Sequence, residues 1–271
     1  MHANGHHHEP LPPPEGESTA DYFAAIARAL GDAPDTVIAR HFLREGSVEV
    51  LLVGMPEDME GLIIQTHDLP EEPMAFGASA AAIAELLPHV SGWSCINVPG
   101  NLADDLIEPV ATTAEASGVR LLDDVHHVLR RPIPPELTGP ARLLTPADKP
   151  LLARVAGELV GNFADRLVAT LQDGHVAAVI QHEGIVAIAN TFATSETYAD
   201  IGVVTHPDWR RRGYGTNVAA VVAGAIQADG RTPIWSCGAT NLPSMAIAAR
   251  LGFEEVSRRV YLIPEWDDPT S

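Results

Sequence analysis

The sequence has few cysteines, few basic residues and no long apolar run. Its 2 cysteines lack the paired C-x-x-C spacing of a structural zinc site and are too few for a disulfide framework. We therefore expect two buried thiols in a reducing compartment such as the cytoplasm. Only 17 Lys and Arg stand against 36 Asp and Glu, so no basic face for nucleic acid is expected. No apolar run reaches the roughly 18 residues of a membrane span, and no signal peptide opens the chain. We therefore expect no metal, nucleic-acid or membrane partner.

The composition is that of a globular protein with a substantial core. Its 271 residues, 46% of them hydrophobic, suffice for one large domain or two of ordinary size. A net charge of −19 favours a cationic small-molecule partner such as an amine. Residues 1–18 are rich in His, Pro and Glu and are predicted to form a disordered arm. Its histidines are interpreted as part of a solvated tail rather than as metal ligands.

The tripeptide Trp-Ser-Cys occurs twice, at residues 93–95 and 235–237. Each copy is predicted to lie on a strand after an alanine-rich helix, and an Asn-Leu pair then starts another helix. We interpret this as an internal duplication with an offset of about 142 residues, and both cysteines as small buried hydrophobes on strands. The proline-rich stretch 132–140 is predicted to link a first domain, residues 19–131, to a second, residues 141–267.

The second half alone contains a glycine- and arginine-rich turn, "RRRGYGT" (210–216), at the predicted start of a helix. Glycines let the backbone approach a ligand closely, and the free amides of a helix start attract anions. Arg210, Arg211 and Arg212 add positive charge. The turn is therefore a candidate phosphate site, and the alternative is a tight turn with a solvated arginine run. The first half has Glu71 and Glu72 in the corresponding stretch, so no cofactor site is expected there.

The stretch "IGVVTHPDWRRRGYGT", followed by "NLPSMAIAARLGFEE", resembles the GCN5-related N-acetyltransferase (GNAT) superfamily. The resemblance covers roughly residues 138–265. The motifs Thr-His-Pro-x-Trp-Arg and Asn-x-x-Ser are similar to those of the FR47-type and self-resistance branch. Some members of that branch carry a degenerate amino-terminal copy of the fold. It implies a mixed α/β fold of tandem GNAT-like domains, each a mainly antiparallel mixed sheet flanked by helices. The halves then form a pseudo-dimer within one chain, which is a monomer or a homodimer.

The resemblance also implies acetyl-CoA as acyl donor. Amides from Arg211 to Thr216 are expected to hold the pyrophosphate, and the exposed backbone of Val203 to Thr205 to pair with the pantetheine arm. Asn241 and Ser244 match positions that line the pantetheine channel. The implied donor-binding residues are Val203, Val204, Thr205, Arg210, Arg211, Arg212, Gly213, Tyr214, Gly215, Thr216, Asn241 and Ser244.

A protonated amine cannot attack a thioester, so a group must accept its proton. Asp200 stands where many members carry a glutamate, and it is predicted to be this base or a substrate anchor; the alternative is a solvent-facing strand residue. Glu196, Tyr198 and His206 are lesser candidates.

Many members of the family have a tyrosine seven residues after the motif asparagine, and it protonates the departing thiolate. This chain has Ala248 at that position. Either Ser244 or Tyr261 takes the place of the tyrosine, or the thiolate leaves unaided. Because no base for a catalytic thiol is evident, direct transfer in a ternary complex is favoured over a route through Cys237.

The sequence thus predicts an acetyl-CoA-dependent N-acetyltransferase acting on the primary amine of a small molecule. The nearest enzymatic alternative is an amino-acid acyltransferase similar to glycine N-acyltransferase. The alternative from another class is a non-catalytic acyl-CoA-binding sensor, in keeping with the missing tyrosine.

Overall fold

A computed structural model describes residues 18–153, 155, 164–182 and 184–267. The predicted disordered arm, except Ser18, therefore lies outside the described residues. The helices are α1 Thr19–Leu30, α2 Val37–Glu45, α3 Ala80–Leu86, α4 Ala103–Thr113, α5 Lys149–Leu152, α6 Ala164–Asp173, α7 Tyr214–Ala228 and α8 Leu242–Leu251. The strands are β1 Val48–Met55, β2 Asp58–Thr66, β3 Met74–Gly77, β4 Ile96–Pro99, β5 Gly118–Val128, β6 Arg142–Leu143, β7 Val176–Gln181, β8 Gly184–Thr194, β9 Tyr198–Thr205, β10 Thr232–Gly238 and β11 Glu254–Glu265. The predicted mixed α/β fold is confirmed.

The chain divides into two compact units. Unit 1 comprises the described residues up to Val125, Gly238–Thr240 and the described residues from Arg258. Unit 2 comprises the described residues of His126–Cys237 and Asn241–Ser257.

Unit 1 contains the strand order β1-β2-β3-β4-β11, followed by the first part of β5. β1, β2 and β3 are antiparallel, β3 and β4 are parallel, and β4 is antiparallel to β11. Helix α3 packs closely on β2, because a Cβ added at Gly61 would come 2.8 Å from the Ala82 carbonyl carbon. The core of this unit includes Ile63, Ile83 and Leu106, which are buried almost completely.

Unit 2 contains the strand order β10-β9-β8-β7-β6. The pairs within β6 to β9 are antiparallel, and β9 with β10 is parallel. Helix α7 lies on this sheet through small and β-branched residues such as Ala219, Ala223 and Val222, each fully buried. Small side chains let the helix backbone approach the strands closely, and the burial of this apolar face stabilises the unit.

The units differ from the predicted domains 19–131 and 141–267 at both boundaries. Segment 132–140 packs on the core of unit 2 through Ile133 and Leu137, and the Leu137 carbonyl accepts a 2.7 Å hydrogen bond from Asn217 Nδ2. The last strand, β11, passes into unit 1 at Arg258 and pairs with β4. The proline-rich stretch is therefore a chain segment that covers α7. The boundary between the units falls inside β5, between Val125 and His126.

The repeated Trp-Ser-Cys does not occupy equivalent positions. Residues 235–237 lie within β10, whereas residues 93–95 precede β4, which begins at Ile96. The strand prediction for residues 93–95 was therefore wrong. Neither cysteine forms a disulfide, and both are half-buried rather than fully buried. Burial, with Glu72 nearby, raises the pKa of Cys95 to about 12, so this thiol stays protonated at neutral pH.

Candidate active site

Strands β9 and β10 start as neighbours and then separate. Their parallel pairing joins Tyr198 to Thr232, Ala199 to Pro233 and Asp200 to Ile234. Beyond this last pair the strands continue to Thr205 and Gly238 but no longer pair with each other. Their residues also change from buried to half-exposed after Ile201 and Trp235. We call the segments that are not paired with each other, residues 201–205 and 235–237, the fork. Residues 201–205 still pair with β8 along their other edge, so only backbone groups on the edges that face each other can be reached by a ligand lying between the strands.

The turn after β9 leads into α7 with an open helix start. Gly213 is the N-cap, and no side chain caps the helix. The first backbone bond into the turn is Asn217 N to Gly213 O at 3.0 Å. The amides of Tyr214, Gly215 and Thr216 therefore have no acceptor within the helix. Together with the helix dipole they form a region that favours an anion.

Two glycines of this turn have different roles. Gly213 has φ 82°, a left-handed backbone that favours glycine, and an added Cβ would meet nothing within 4 Å. Gly215 is crowded, because an added Cβ would lie 3.1 Å from Thr205 Oγ1 and 3.2 Å from Ile247 Cδ1. The first glycine therefore gives the helix start its conformation and open space, and the second brings α7 close to β9 and α8.

The three arginines of the turn are exposed and held in different ways. Arg210 Nε donates to the Thr205 carbonyl at 3.2 Å. Arg211 has φ 61°, a left-handed conformation rare for a residue with a side chain. The Arg212 guanidinium lies over the Trp209 ring, 4.7 Å from its centroid. These contacts place three positive charges beside the open amides of α7.

The Asn-x-x-Ser helix has a local structural explanation. Asn241 is the N-cap of α8, and its Oδ1 accepts from the Ser244 amide at 3.2 Å. Ser244 Oγ in turn accepts a 2.9 Å hydrogen bond from Nε1 of Trp235, which is 1% exposed. Asn241 therefore caps α8, and Ser244 fixes the helix against β10. Contact of Asn241 and Ser244 with pantetheine stays a prediction.

Replacing Ser244 with alanine is expected to lower the free energy of unfolding by about 1–3 kcal/mol, because it leaves a buried indole N–H without its acceptor. Urea denaturation measures the loss. In a Trp235→Phe background the same substitution should cost less, because the indole N–H is already gone. An equal loss in both backgrounds contradicts this role of the Trp235–Ser244 bond.

Asp200 lies at the closed end of the fork. It is 5% exposed, and Ser236 Oγ donates to its Oδ1 at 3.3 Å. The alternative of a solvent-facing strand residue is therefore wrong. His206, a lesser candidate, caps the turn after β9, where its Nδ1 accepts from the Asp208 amide at 3.3 Å. Tyr198 lies at the first pair of β9 with β10.

The sequence model of the GNAT acetyltransferase family matches residues 150–261. The chain carries a GNAT acetyltransferase domain. This family transfers acyl groups from acyl-CoA, and the fork and the open helix start lie within the matched residues. The more specific assignment to the FR47-type branch stays a prediction.

Solved structures show the same fold over nearly the whole chain. A GCN5-related N-acetyltransferase-like protein from Streptococcus suis 89/1591 is 19% identical with a TM-score of 0.65, covering 92% of this chain and 100% of that one. A putative GNAT-family acetyltransferase from Novosphingobium aromaticivorans DSM 12444 is 18% identical with a TM-score of 0.55, covering 88% and 100%. A tandem GNAT protein from the clavulanic acid biosynthesis pathway is 13% identical with a TM-score of 0.57, covering 96% and 98%. The predicted tandem GNAT-like fold is confirmed. No curated protein sequence matches this chain.

The GNAT domain departs from the family pattern at Ala248, where many members have tyrosine. Ala248 is 1% exposed and packs in the core with Leu251 and Phe253. Tyr261, one suggested substitute, belongs to unit 1, where it pairs with Asn97 and its hydroxyl donates to Glu72 Oε2 at 3.5 Å. Burial raises the pKa of the Tyr261 hydroxyl above its usual value, so the group is less ready to give up its proton. Tyr261 lies there because β11 pairs with β4.

The helix start in unit 1 is closed, unlike that of the GNAT domain. Ser79 caps α3 by accepting from the Ala82 amide at 3.2 Å. The amides of Ala78 and Ser79 both donate to the Glu60 carbonyl at 3.1 Å. Glu71 and Glu72 were expected in the stretch that corresponds to residues 210–216, before a helix start. That expectation was wrong, because both residues precede β3 whereas α3 follows it. The absence of a pyrophosphate site in unit 1 stays a prediction.

Arg259 fills the space between β3 and β4 in unit 1. These strands pair at Met74 and Asn97. The Arg259 guanidinium donates to the Ala75 carbonyl on β3 and to the Asn97 carbonyl and side-chain oxygen on β4. It also lies 4.3 Å from the Phe76 ring centroid. A buried side chain thus bridges β3 and β4, which pair with each other at a single position.

No group of three or more His, Cys, Asp or Glu among the described residues is arranged to hold a metal ion. Within that same part of the chain, none of the helices has both the length and the apolar character that a bilayer crossing requires.

Proposed function

We propose that this protein is an acetyl-CoA-dependent N-acetyltransferase that acetylates the primary amine of a small molecule. The observation that carries the proposal is the succession of β9, the fork and the uncapped start of α7 within the GNAT domain. Acyl-CoA is an extended molecule with a pyrophosphate, an amide-rich arm and a thioester. The open amides of α7 suit the first of these groups, and the unpaired strand edge suits the second.

The donor would lie with its pyrophosphate on the amides of residues 211–216 and its pantetheine along Val203, Val204 and Thr205. Arg210, Arg211 and Arg212 contribute attraction, since phosphate binds arginine through charge-assisted hydrogen bonds. A backbone N–H of the fork would then donate to the thioester oxygen. Charge develops on that oxygen during attack, so a fixed donor there lowers the barrier.

Asp200 is the proposed acceptor of the amine proton, because its carboxylate stands at the closed end of the fork. Direct transfer in a ternary complex is favoured over an acyl-cysteine route. Cys237 Sγ lies 3.4 Å from Met245 Sδ, and a thioether does not take a proton from a thiol at neutral pH. The net charge of −19 favours cationic acceptors.

A non-catalytic acyl-CoA sensor is the second candidate function, and the burial of Ala248 at the tyrosine position favours it. An amino-acid acyltransferase similar to glycine N-acyltransferase is the alternative enzyme. Both bind acyl-CoA, so only turnover separates them from the main proposal.

Calorimetric titration of acetyl-CoA into the full chain is expected to give one site per chain. A thiol-release assay over amines, amino acids including glycine, and aminoglycosides then identifies the acceptor class. Two sites per chain would mean that unit 1 also binds the donor. Binding with no turnover favours the sensor, and no binding at all contradicts the proposed function.

A further inference from the structure

The fork contains a polar side chain next to Asp200, Ser236, that the family pattern did not indicate. Ser236 lies on β10, two residues beyond Ile234, the last residue of that strand paired with β9. Its hydroxyl reaches back across the opening between the strands and donates to Asp200 Oδ1 at 3.3 Å. The carboxylate and the hydroxyl therefore join the two strands where they begin to separate.

Strand alternation places these groups on one face of the sheet. Opposed residues of paired strands point to the same side, so Asp200 shares a face with Ile234 and therefore with Ser236. Trp235 and Cys237 point to the other face, where they contact Ser244 and Met245 of α8. Ser236 therefore belongs to the Asp200 face and takes no part in fixing α8.

The two groups differ in how accessible they are. Asp200 is 5% exposed, whereas Ser236 is half-buried at the point where β10 becomes accessible. The next residue of β9 on the same face is Gly202, which has no side chain. A Cβ added at Gly202 would lie 3.0 Å from Asn190 Oδ1. An acceptor amine in the fork can therefore approach the Ser236 hydroxyl more readily than the carboxylate behind it.

We propose that Ser236 and Asp200 form one proton-accepting pair, in which Ser236 contacts the acceptor amine and relays its proton to Asp200. The inference rests on the proposed function and adds a residue to it. The ammonium N–H proton passes to Ser236 Oγ while the Ser236 hydroxyl proton passes to Asp200 Oδ1. The neutral amine nitrogen then bonds to the acetyl carbon, and the carbon–sulfur bond breaks with its electron pair leaving on the CoA sulfur. The second proton of the attacking nitrogen passes to that sulfur, which gives the neutral amide and the CoA thiol. The proton held on Asp200 is released to solvent before the next turnover.

The pairing explains why a serine alone would not suffice. A hydroxyl is too weak a base to retain a proton from an ammonium group, whereas a carboxylate can accept it through a short relay. A buried carboxylate alone would be reached with difficulty by a hydrated amine. Together, the accessible Ser236 hydroxyl can take the proton from the amine and the buried Asp200 carboxylate can retain it.

The test is a double-mutant cycle with the acceptor that gives the highest thiol release. Ser236→Ala and Asp200→Asn are each expected to lower kcat by about 100-fold, the lower end of the usual contribution of a proton-transfer group. The double variant should be no slower than the slower single variant, because groups acting as a unit are not additive. Ser236→Thr keeps the hydroxyl on a residue suited to strands and should restore activity. Thr232→Ala, four residues earlier on the same face of β10 and outside the fork, is the matched control and should behave like the parent.

The affinity for acetyl-CoA, measured by calorimetry, distinguishes a lost proton relay from a structural effect of the substitution. Retained affinity with reduced kcat supports the relay, whereas reduced affinity in Ser236→Ala indicates a merely structural role and overturns it. Parent-like turnover by Ser236→Ala, or losses that add in the double variant, overturn the relay and leave the transferase proposal standing. An acetylated Ser236 found by mass spectrometry also overturns it. A parent protein that binds acetyl-CoA but acetylates no amine overturns both.

Discussion

Replacing Gly213 with glutamate is expected to abolish acetyl-CoA binding while the protein stays folded. The new carboxylate would stand at the uncapped start of α7, beside the amides proposed to hold the pyrophosphate. Like charges brought together at a binding site cost several kcal/mol, which corresponds to a loss of affinity of about 100-fold or more. Calorimetric titration measures the affinity, and circular dichroism verifies the fold.

Gly230, at the other end of the same helix, provides a matched control. Gly213 has φ 82° and Gly230 has φ 81°, and an added Cβ meets nothing within 4 Å at either position. Glutamate therefore imposes similar backbone strain at both, about 1–3 kcal/mol. A negative charge is also more favourable at a helix start than at its end, so Gly230→Glu should be the less stable variant. If both variants bind acetyl-CoA like the parent, the site assignment is wrong; if both lose it, strain rather than position is the cause.

The glycine- and arginine-rich turn could be predicted from the sequence because its determinants are local. A strand ends, three arginines and two glycines follow, and a helix begins, all within residues 198–228. Turn chemistry and helix-start preferences act over such short windows. The same reasoning gave the position of α8, whose N-cap Asn241 and Ser244 lie three residues apart.

The partners across the sheet could not be predicted in this way. Ser236 and Asp200 are 36 residues apart in sequence, and their contact depends on the register of β9 with β10. Helix and strand periodicity shows which face of an element is apolar, but it does not choose the neighbouring strand. For the same reason the passage of β11 into unit 1 at Arg258 could not be predicted from the sequence. The proline content of segment 132–140 predicts a linker, because composition alone does not reveal packing on α7.

Replacing Arg259 with methionine is expected to destabilise the protein strongly. The guanidinium is 5% exposed and bonds to Ala75 and Asn97 on β3 and β4, while Asn97 Nδ2 donates to buried Asp124 at 2.9 Å. Burial lowers the pKa of Arg259 to about 10, and nearby carboxylates such as Asp35 and Asp124 oppose that shift. Removing one partner of a buried charged network costs about 3–5 kcal/mol, because the remaining charge and the strand carbonyls lose their compensation. Urea denaturation of the full chain measures the change.

The neighbouring residue gives the control that assigns this loss to burial. Arg258 pairs with Asp123 at 2.6 Å, but both side chains are nearly half-exposed, at 49% and 44%. Water and salt screen such a pair, so Arg258→Met should cost at most about 1 kcal/mol. The double variant Arg259→Met with Asp124→Asn should recover part of the loss, since it removes the uncompensated carboxylate. Equal, small effects at both arginines would show that Arg259 is not needed to bridge β3 and β4. A large loss at Arg259 alone would mean that unit 1 depends on this side chain between β3 and β4 for its stability.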